Sequence, residues 1–271
     1  MTEVINLREI ILGILMEVME EEEQSHQVLR RVLEKYQFLD KRDRAFISRV
    51  SEGTLENLIL IDYIIGQFSS VAVADMKPLI RNLLRLSVYQ LKFMDSVPDS
   101  AVCNESVKLA QKKGFYNLKG FVNGVLRSIA RNLDKVVYPD RETMPVAHLS
   151  VLYSMPEWIV KDWMNLYGFD TVEKICQAFQ EPSRTYVRCN FSKASKEQII
   201  ESLAAQNILA EPSPYLDCAL ELKGVNYLQA VEAFKKGWIQ VQDISSMLVG
   251  EAANPAWSDY CIDVCAAPGG K

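Results

Sequence analysis

Through the first 140 residues the apolar positions recur every three or four residues, the period of helices that turn one face to a core. Leu7, Ile11, Ile14, Leu15 and Val18 form the first stripe. Val28, Leu29, Val32, Leu33 and Tyr36 form a second, with Ser25 placed to cap it. Asp40 or Asp43 can start a third helix, which carries Phe46, Val50 and Gly53 on one face. A glycine in mid-helix costs about 1 kcal/mol against alanine, so Gly53 predicts close helix packing. Leu60, Ile61, Ile64, Ile65 and Phe68 make a fourth stripe, and Pro78 suits the first turn of a fifth that continues through Leu79, Leu83 and Leu86. Further on, Lys119, Asn123 and Arg127 recur at intervals of four and share a helix side, while Phe121, Val122, Val125, Leu126 and Ile129 occupy the other. Gly120 and Gly124 read here as packing positions rather than ligand contacts.

Residues 132–148, with Pro139, Pro145 and mixed charges, read as a linker. Pro156 then opens a helix through Val160, Trp163 and Leu166 to a C-capping Gly168, and residues 171–179 make another. The period changes at residues 185–190, where Tyr186, Arg188 and Asn190 alternate with Val187 and Cys189 as in a strand. Ser195 caps a helix that points Ile199, Ile200 and Leu203 inward. Residues 220–222 and 237–243 read as strands, and 244–253 as a helix with Asp243 at its N-cap. Tyr260, Cys261 and Ile262 supply a last short apolar strand, followed by small residues and paired glycines. Such a break is how an open α/β sheet forms a ligand crevice, because glycine lets backbone approach a ligand with no Cβ in the way.

Composition narrows the picture. The chain has 271 residues, 49% hydrophobic and 24% charged, ordinary for globular protein and long enough for about two domains. Its net charge of −5 does not advertise a nucleic-acid binder, but the distribution is uneven, the asymmetry to look for in an RNA-contacting protein although solvated charged faces are commoner. Residues 101–131 hold Lys108, Lys112, Lys113, Lys119, Arg127 and Arg131 against Glu105 alone, a local net of +5. For any one of these lysines a solvated face is the simpler role, and the cluster by itself leaves both that role and phosphate contact open. Arg184 and Arg188 divide evenly between RNA contact and ordinary surface positions. The six cysteines are scattered without a Cys-x-x-Cys, and His26 and His148 are the two histidines, which argues against a metal site and a disulfide framework. Reduced thiols suit a cytoplasmic protein. The amino terminus is acidic where a signal peptide is basic, and no apolar run reaches the ~18 residues of a membrane span.

The glycine run at the carboxy terminus is Asp263-Val264-Cys265-Ala266-Ala267-Pro268-Gly269-Gly270-Lys271. A phosphate-cradling loop needs a glycine five residues before its Gly-Lys pair, and Cys265 stands there, so that reading fails. The whole string resembles the first cofactor motif of the RNA cytosine-5 methyltransferases. Asp43-Arg44-Ala45-Phe46 with Gly53-Thr54-Leu55, and the run from Asn104 to Ala110 continuing through Lys119-Gly120-Phe121-Val122-Asn123-Gly124-Val125-Leu126-Arg127, resemble the NusB-type RNA-binding bundle. That pattern usually has alanine at Ser106 and an apolar residue at Cys103. The segment Leu149 to Trp158 resembles the joint between bundle and catalytic part in ribosomal RNA cytosine methyltransferases, where histidine often replaces Met155. Val241 to Ser246 resembles one wall of the cofactor crevice.

Together these resemblances imply the Sun/RsmB type of bacterial methyltransferase, which modifies carbon 5 of a cytosine in small-subunit ribosomal RNA. The implied architecture has several domains. Residues 1–140 form an all-α NusB-like bundle, and 141–236 hold linker helices and a small α+β, RRM-like domain. Residues 237–271 begin a Rossmann-like α/β methyltransferase domain that is truncated. The implied cofactor is S-adenosylmethionine, held at Cys265, Ala266, Ala267, Pro268, Gly269, Gly270 and Lys271. The implied RNA-binding residues are Lys108, Lys112, Lys113, Lys119, Arg127 and Arg131, in a monomer without metal or membrane contact. In such enzymes a cysteine thiolate adds to carbon 6 and a second cysteine assists release. Both motifs lie downstream of the glycine loop, so these 271 residues are expected to be catalytically inactive. Two alternatives stay open: a non-catalytic RNA-binding or antitermination adaptor, and the same chemistry on transfer RNA.

Overall fold

The structure, a computed structural model, describes residues 5–181, 184–225, 228–256, 258–264 and 266. Two compact units divide at Gln180 and Glu181.

The first unit opens with α1 (Leu7–Glu20), α2 (Ser25–Lys35), α3 (Lys41–Glu56), α4 (Leu58–Phe68) and α5 (Pro78–Phe93). The predicted stripes are the buried faces: Ile11, Leu12, Ile14 and Leu15 on α1, then Leu60, Ile61, Ile64 and Ile65 on α4. Asp40 caps α3 by accepting the Asp43 amide at 2.7 Å, which satisfies one of the orphan donors of the first turn. Ser25 does not cap α2. It is the helix's first residue, Gln24 stands at the N-cap, and no side chain bonds the free amides there. Gly53 behaves as its position predicts, for an added Cβ would overlap the tip of the buried Tyr89 ring on α5.

The middle of the unit is α5. From Asn82 to Gln90 every residue is buried, because α1, α3, α4, α6 (Asp99–Lys112) and α7 (Lys119–Asn132) surround it. Four of those residues are polar, and each is bonded. Arg85 holds Asp62 with two bonds, Nε to Oδ1 at 2.8 Å and Nη2 to Oδ2 at 2.6 Å, and donates to Asn82 Oδ1 at 3.0 Å. Asn82 donates onward to Glu20, which also accepts from Arg81. Burial alone would raise the Glu20 carboxyl, but the Arg81 and Asn82 hydrogen bonds outweigh it and hold it low. Gln90 donates to the Leu86 carbonyl and accepts from Arg8 Nε at 2.9 Å. Ser87 meets Ser106 of α6 hydroxyl to hydroxyl at 2.7 Å. That pairing explains how Ser106 is tolerated where the related pattern has alanine.

Residues 136–139, within the stretch read as a linker, are held against α4. Gln67 brackets Val137 with two bonds of 3.0 Å, Tyr63 donates to the Val137 carbonyl at 2.8 Å, and Tyr138 stacks on Tyr63. A second small core follows in α8 (Pro145–Tyr153), α9 (Glu157–Tyr167) and α10 (Phe169–Gln180), built on Leu149, Val160, Val172 and Cys176. Ser154 Oγ accepts the Ile59 amide and ties this cluster to α4.

The second unit runs β1 (Thr185–Cys189), α11 (Lys196–Ala204), β2 (Leu209–Pro212), β3 (Ala219–Lys223), α12 (Glu232–Lys235), β4 (Ile239–Val241) and α13 (Ile244–Ala253). The sheet order is β2-β3-β1-β4 with every pair antiparallel, a βαββαβ arrangement of the ferredoxin-like kind. Val187, Cys189, Leu220, Leu222 and Ile239 join Ile199 and Leu203 of α11 in its core. Ser195 and Gln198 form a full capping box on α11. Asp243 occupies the N-cap of α13, but its side chain makes no capping bond.

The strand expected at Tyr260, Cys261 and Ile262 is not formed. Tyr260 is 91% exposed and Ile262 is 73% exposed. A strand needs ladder neighbours for its amides and carbonyls, and among the described residues all four strands pair only with one another. No helix among the described residues is long and apolar enough to cross a membrane.

Candidate nucleic-acid interface

The basic residues predicted for RNA contact lie on α6 and α7, a helix hairpin closed by a short turn. On α7 the core takes Val122, Val125, Leu126 and Ile129. This leaves Lys119, Asn123, Arg127 and Arg131 along the outer side at helical spacing. On α6, Asn104 and Lys108 face the same way, and with Val107, Lys119, Gly120 and Asn123 they line a shallow groove of about 430 Å³. Val102, Leu109 and Ala110 anchor α6 beneath it.

The structure separates these bases into two groups. Lys112 and Lys113 both reach back to Glu9 on α1, at 2.6 and 2.8 Å. Hydrogen bonds from Lys112, then Lys113, hold the Glu9 carboxyl below the usual carboxylate range. Lys108 pairs with Glu105 one turn away but stays 71% exposed. Arg127 donates to Asn123 Oδ1 at 2.9 Å and keeps its charge toward solvent. Lys119 sets its ammonium 4.9 Å over the centre of the Tyr116 ring. The stripe Lys119, Arg127 and Arg131 therefore carries no carboxylate partner within the salt bridges of the described residues. Sequence counting missed Glu9, which lies about a hundred residues away and carries no local signal.

Gly120 and Gly124 need correcting. They do not serve helix packing, for both are exposed and an added Cβ at either meets nothing within 4 Å. They lie on the outer side of α7, between the basic residues. In the second unit Arg184 forms an ion pair with Glu221 at 3.6 Å, and Arg188 donates to Gln240 at 3.4 Å.

The residues expected to hold a cofactor contribute little geometry. Cys265, Ala267, Pro268, Gly269, Gly270 and Lys271 lie outside the described residues, and Ala266 is exposed. At the end of β4, Gln242 is 4% exposed and its Oε1 is buried without a hydrogen-bond partner among the described residues. The buried thiols are poor nucleophiles. Burial pushes Cys189 up to about 11 and raises Cys103 and Cys176 as well.

A helical bundle with a basic outer hairpin, followed by a βαββαβ unit, is the pair of domains that two family models describe, the second of them a domain of methyltransferases. The NusB family matches residues 5–131, and the ferredoxin-like domain of RsmF/B-like methyltransferases matches residues 155–227. The probable ribosomal RNA small subunit methyltransferase B of Bacillus subtilis (strain 168) is 35% identical over 267 residues, covering 98% of this chain and 58% of that protein. The corresponding protein of Synechocystis sp. is 30% identical, covering 98% of this chain and 59% of its own length. The solved protein PH0851 superposes with a TM-score of 0.67 at 19% identity, over 93% of this chain and 56% of that one, a likeness of fold. Along nearly its whole length the chain is similar to ribosomal RNA small subunit methyltransferase B proteins, and its two units match the NusB and RsmF/B ferredoxin-like domains in order. It spans less than two thirds of the length of the relatives it matches.

Proposed function

We propose that this protein acts in S-adenosylmethionine-dependent methylation of carbon 5 of a cytosine in small-subunit ribosomal RNA, and that the outer face of α6 and α7 anchors the RNA. The observation that carries the RNA reading is the stripe of Lys119, Asn123, Arg127 and Arg131, held outward by a buried apolar side and without carboxylate pairing among the described residues. Basic groups fixed on a rigid helix contact phosphates without reading sequence, so their task is positioning. The names of the relatives and the resemblance of the glycine string to a cofactor motif support the methyl-transfer reading. S-adenosylmethionine would supply an activated methyl on its sulfonium, and the target base must leave its stack to meet it. The glycine string from Cys265 to Lys271 is the proposed holder of the cofactor.

Two measurements test this. RNA binding by the chain, followed across salt concentrations, is expected to fall steeply, by about 0.7 to 0.9 in the logarithmic slope for each phosphate contact. Replacing Lys119, Arg127 and Arg131 together by alanine flattens that slope by about two to three; an unchanged slope overturns the assignment of the face. Mapping 5-methylcytosine in ribosomal RNA with and without the gene tests the reaction. Loss of the mark at a small-subunit cytosine supports it, and an unaltered map, or a loss confined to transfer RNA, overturns it.

A further inference from the structure

Just before α7 the chain makes a single 3₁₀ turn, Tyr116 to Leu118, and there it leaves an aromatic ring in water. Tyr116 is 60% exposed, whereas Phe115 and Leu118 on either side pack against the bundle core. The turn is thus fixed from below while its tyrosine is presented above. Lys119, the next helix residue, joins two features. Its ammonium stands 4.9 Å over the Tyr116 ring, and its side chain lines the groove shared with Asn104, Lys108, Gly120 and Asn123. The groove's volume of about 430 Å³ exceeds what one nucleobase needs, and its walls carry amides. Asn123 uses its oxygen to accept from Arg127, and among the described residues its N–H donors are left for a ligand.

We infer that Tyr116 is a stacking platform for one unpaired nucleobase, with Lys119 at the adjoining phosphate and the Asn104 and Asn123 amides in the groove beside it. The inference rests on the RNA reading of this face and narrows it to unstacked RNA. An exposed ring offers a π surface that a single-stranded base can cover, while the bases of a duplex are already stacked on one another. A nearby cation strengthens such a site by meeting both ring and phosphate. Gly120 and Gly124 add room, since neither places a Cβ between the helix and an approaching strand.

The test uses the full chain and an unpaired RNA oligonucleotide carrying 2-aminopurine, with the same strand annealed to its complement as comparison. The free strand is expected to bind more tightly than the duplex and to lose fluorescence as its base stacks. Tyr116→Ala is expected to weaken strand binding about tenfold and restore the fluorescence. Duplex binding and the salt slope should stay as they are, and Tyr116→Trp should keep the wild-type behaviour. Because Tyr116 is exposed, an unchanged melting temperature shows that the variant is folded. If Tyr116→Ala binds the strand as well as wild type, while neutralising Lys119, Arg127 and Arg131 still abolishes binding, the platform is wrong and the basic face stands. If neither strand nor duplex binds the wild-type chain, the basic face is wrong and the platform falls with it.

Discussion

Helices α5 and α7 use the same residue types in opposite ways. On α5, Arg85 and Asn82 are buried in a matched chain that runs from Asp62 through Arg85 and Asn82 to Glu20 and Arg81. On α7, Lys119, Arg127 and Arg131 are exposed and carry no carboxylate partner among the described salt bridges. Glycine divides along the same line, with Gly53 pressed against Tyr89 and Gly120 and Gly124 in open space. The contrast teaches that charge or glycine on a helix has no fixed meaning until its surroundings are known. A matched, buried polar group specifies the fold, and an unmatched exposed one is available to a partner.

The largest effect should come from breaking the buried seam. Arg85→Ala strands Asn82 and the Asp62 carboxylate, and should cost about 3 to 5 kcal/mol in chemical denaturation. A loss below about 1 kcal/mol would mean the seam is as solvated as the outer stripe. Next come the glycines, where the sign itself is the test. Gly53→Ala forces its methyl into Tyr89 and should destabilise by about 1 to 3 kcal/mol. Gly120→Ala should stabilise by about 1 kcal/mol, the ordinary gain of alanine in an open helix. Equal signs at the two sites would dissolve the distinction.

The smallest effect concerns Glu9, which lies between the two regimes. Its carboxyl titrates below its unfolded value, so the stability it adds is complete above about pH 4.3 and is lost as pH falls through the lower folded value. With lysine partners 53% and 37% exposed, the contribution is under about 1 kcal/mol. Glu9→Gln should therefore flatten the acid limb of the stability curve slightly. It should also tighten RNA binding a few-fold by releasing Lys113; no change in affinity would place that lysine outside the interface.

Much of the bundle was legible in the sequence because its information is local and periodic. The stripes on α1, α4 and α7, the proline opening α5 and the Asp40 cap are all written within a turn or two of where they act. Ser25 misled because a capping residue is recognised by backbone conformation as well as identity, and the chain turned helical one residue early. Glu9 was invisible because its partners are far away in sequence. Gly120 and Gly124 were misread because a helical glycine looks the same whether a neighbour or a ligand comes close. The stretch from Tyr260 to Val264 shows the converse: strand propensity alone does not make a strand.

The bonds that strap Val137 to Gln67 and Tyr63 bear on how this molecule can be dissected. By family boundaries the bundle ends near Arg131, which invites a cut there. Such a cut would strip Tyr63 of its stacking partner, Gln67 of both its bonds and Ile59 of the Ser154 hydroxyl, leaving the flank of α4 bare. A bundle released at that point would be sticky in solution, and its aggregation could pass for self-association or for weak affinity to RNA. The compact unit runs on to Gln180, and a proteolytic core that retains α8 to α10 is the smaller piece on which binding should be measured.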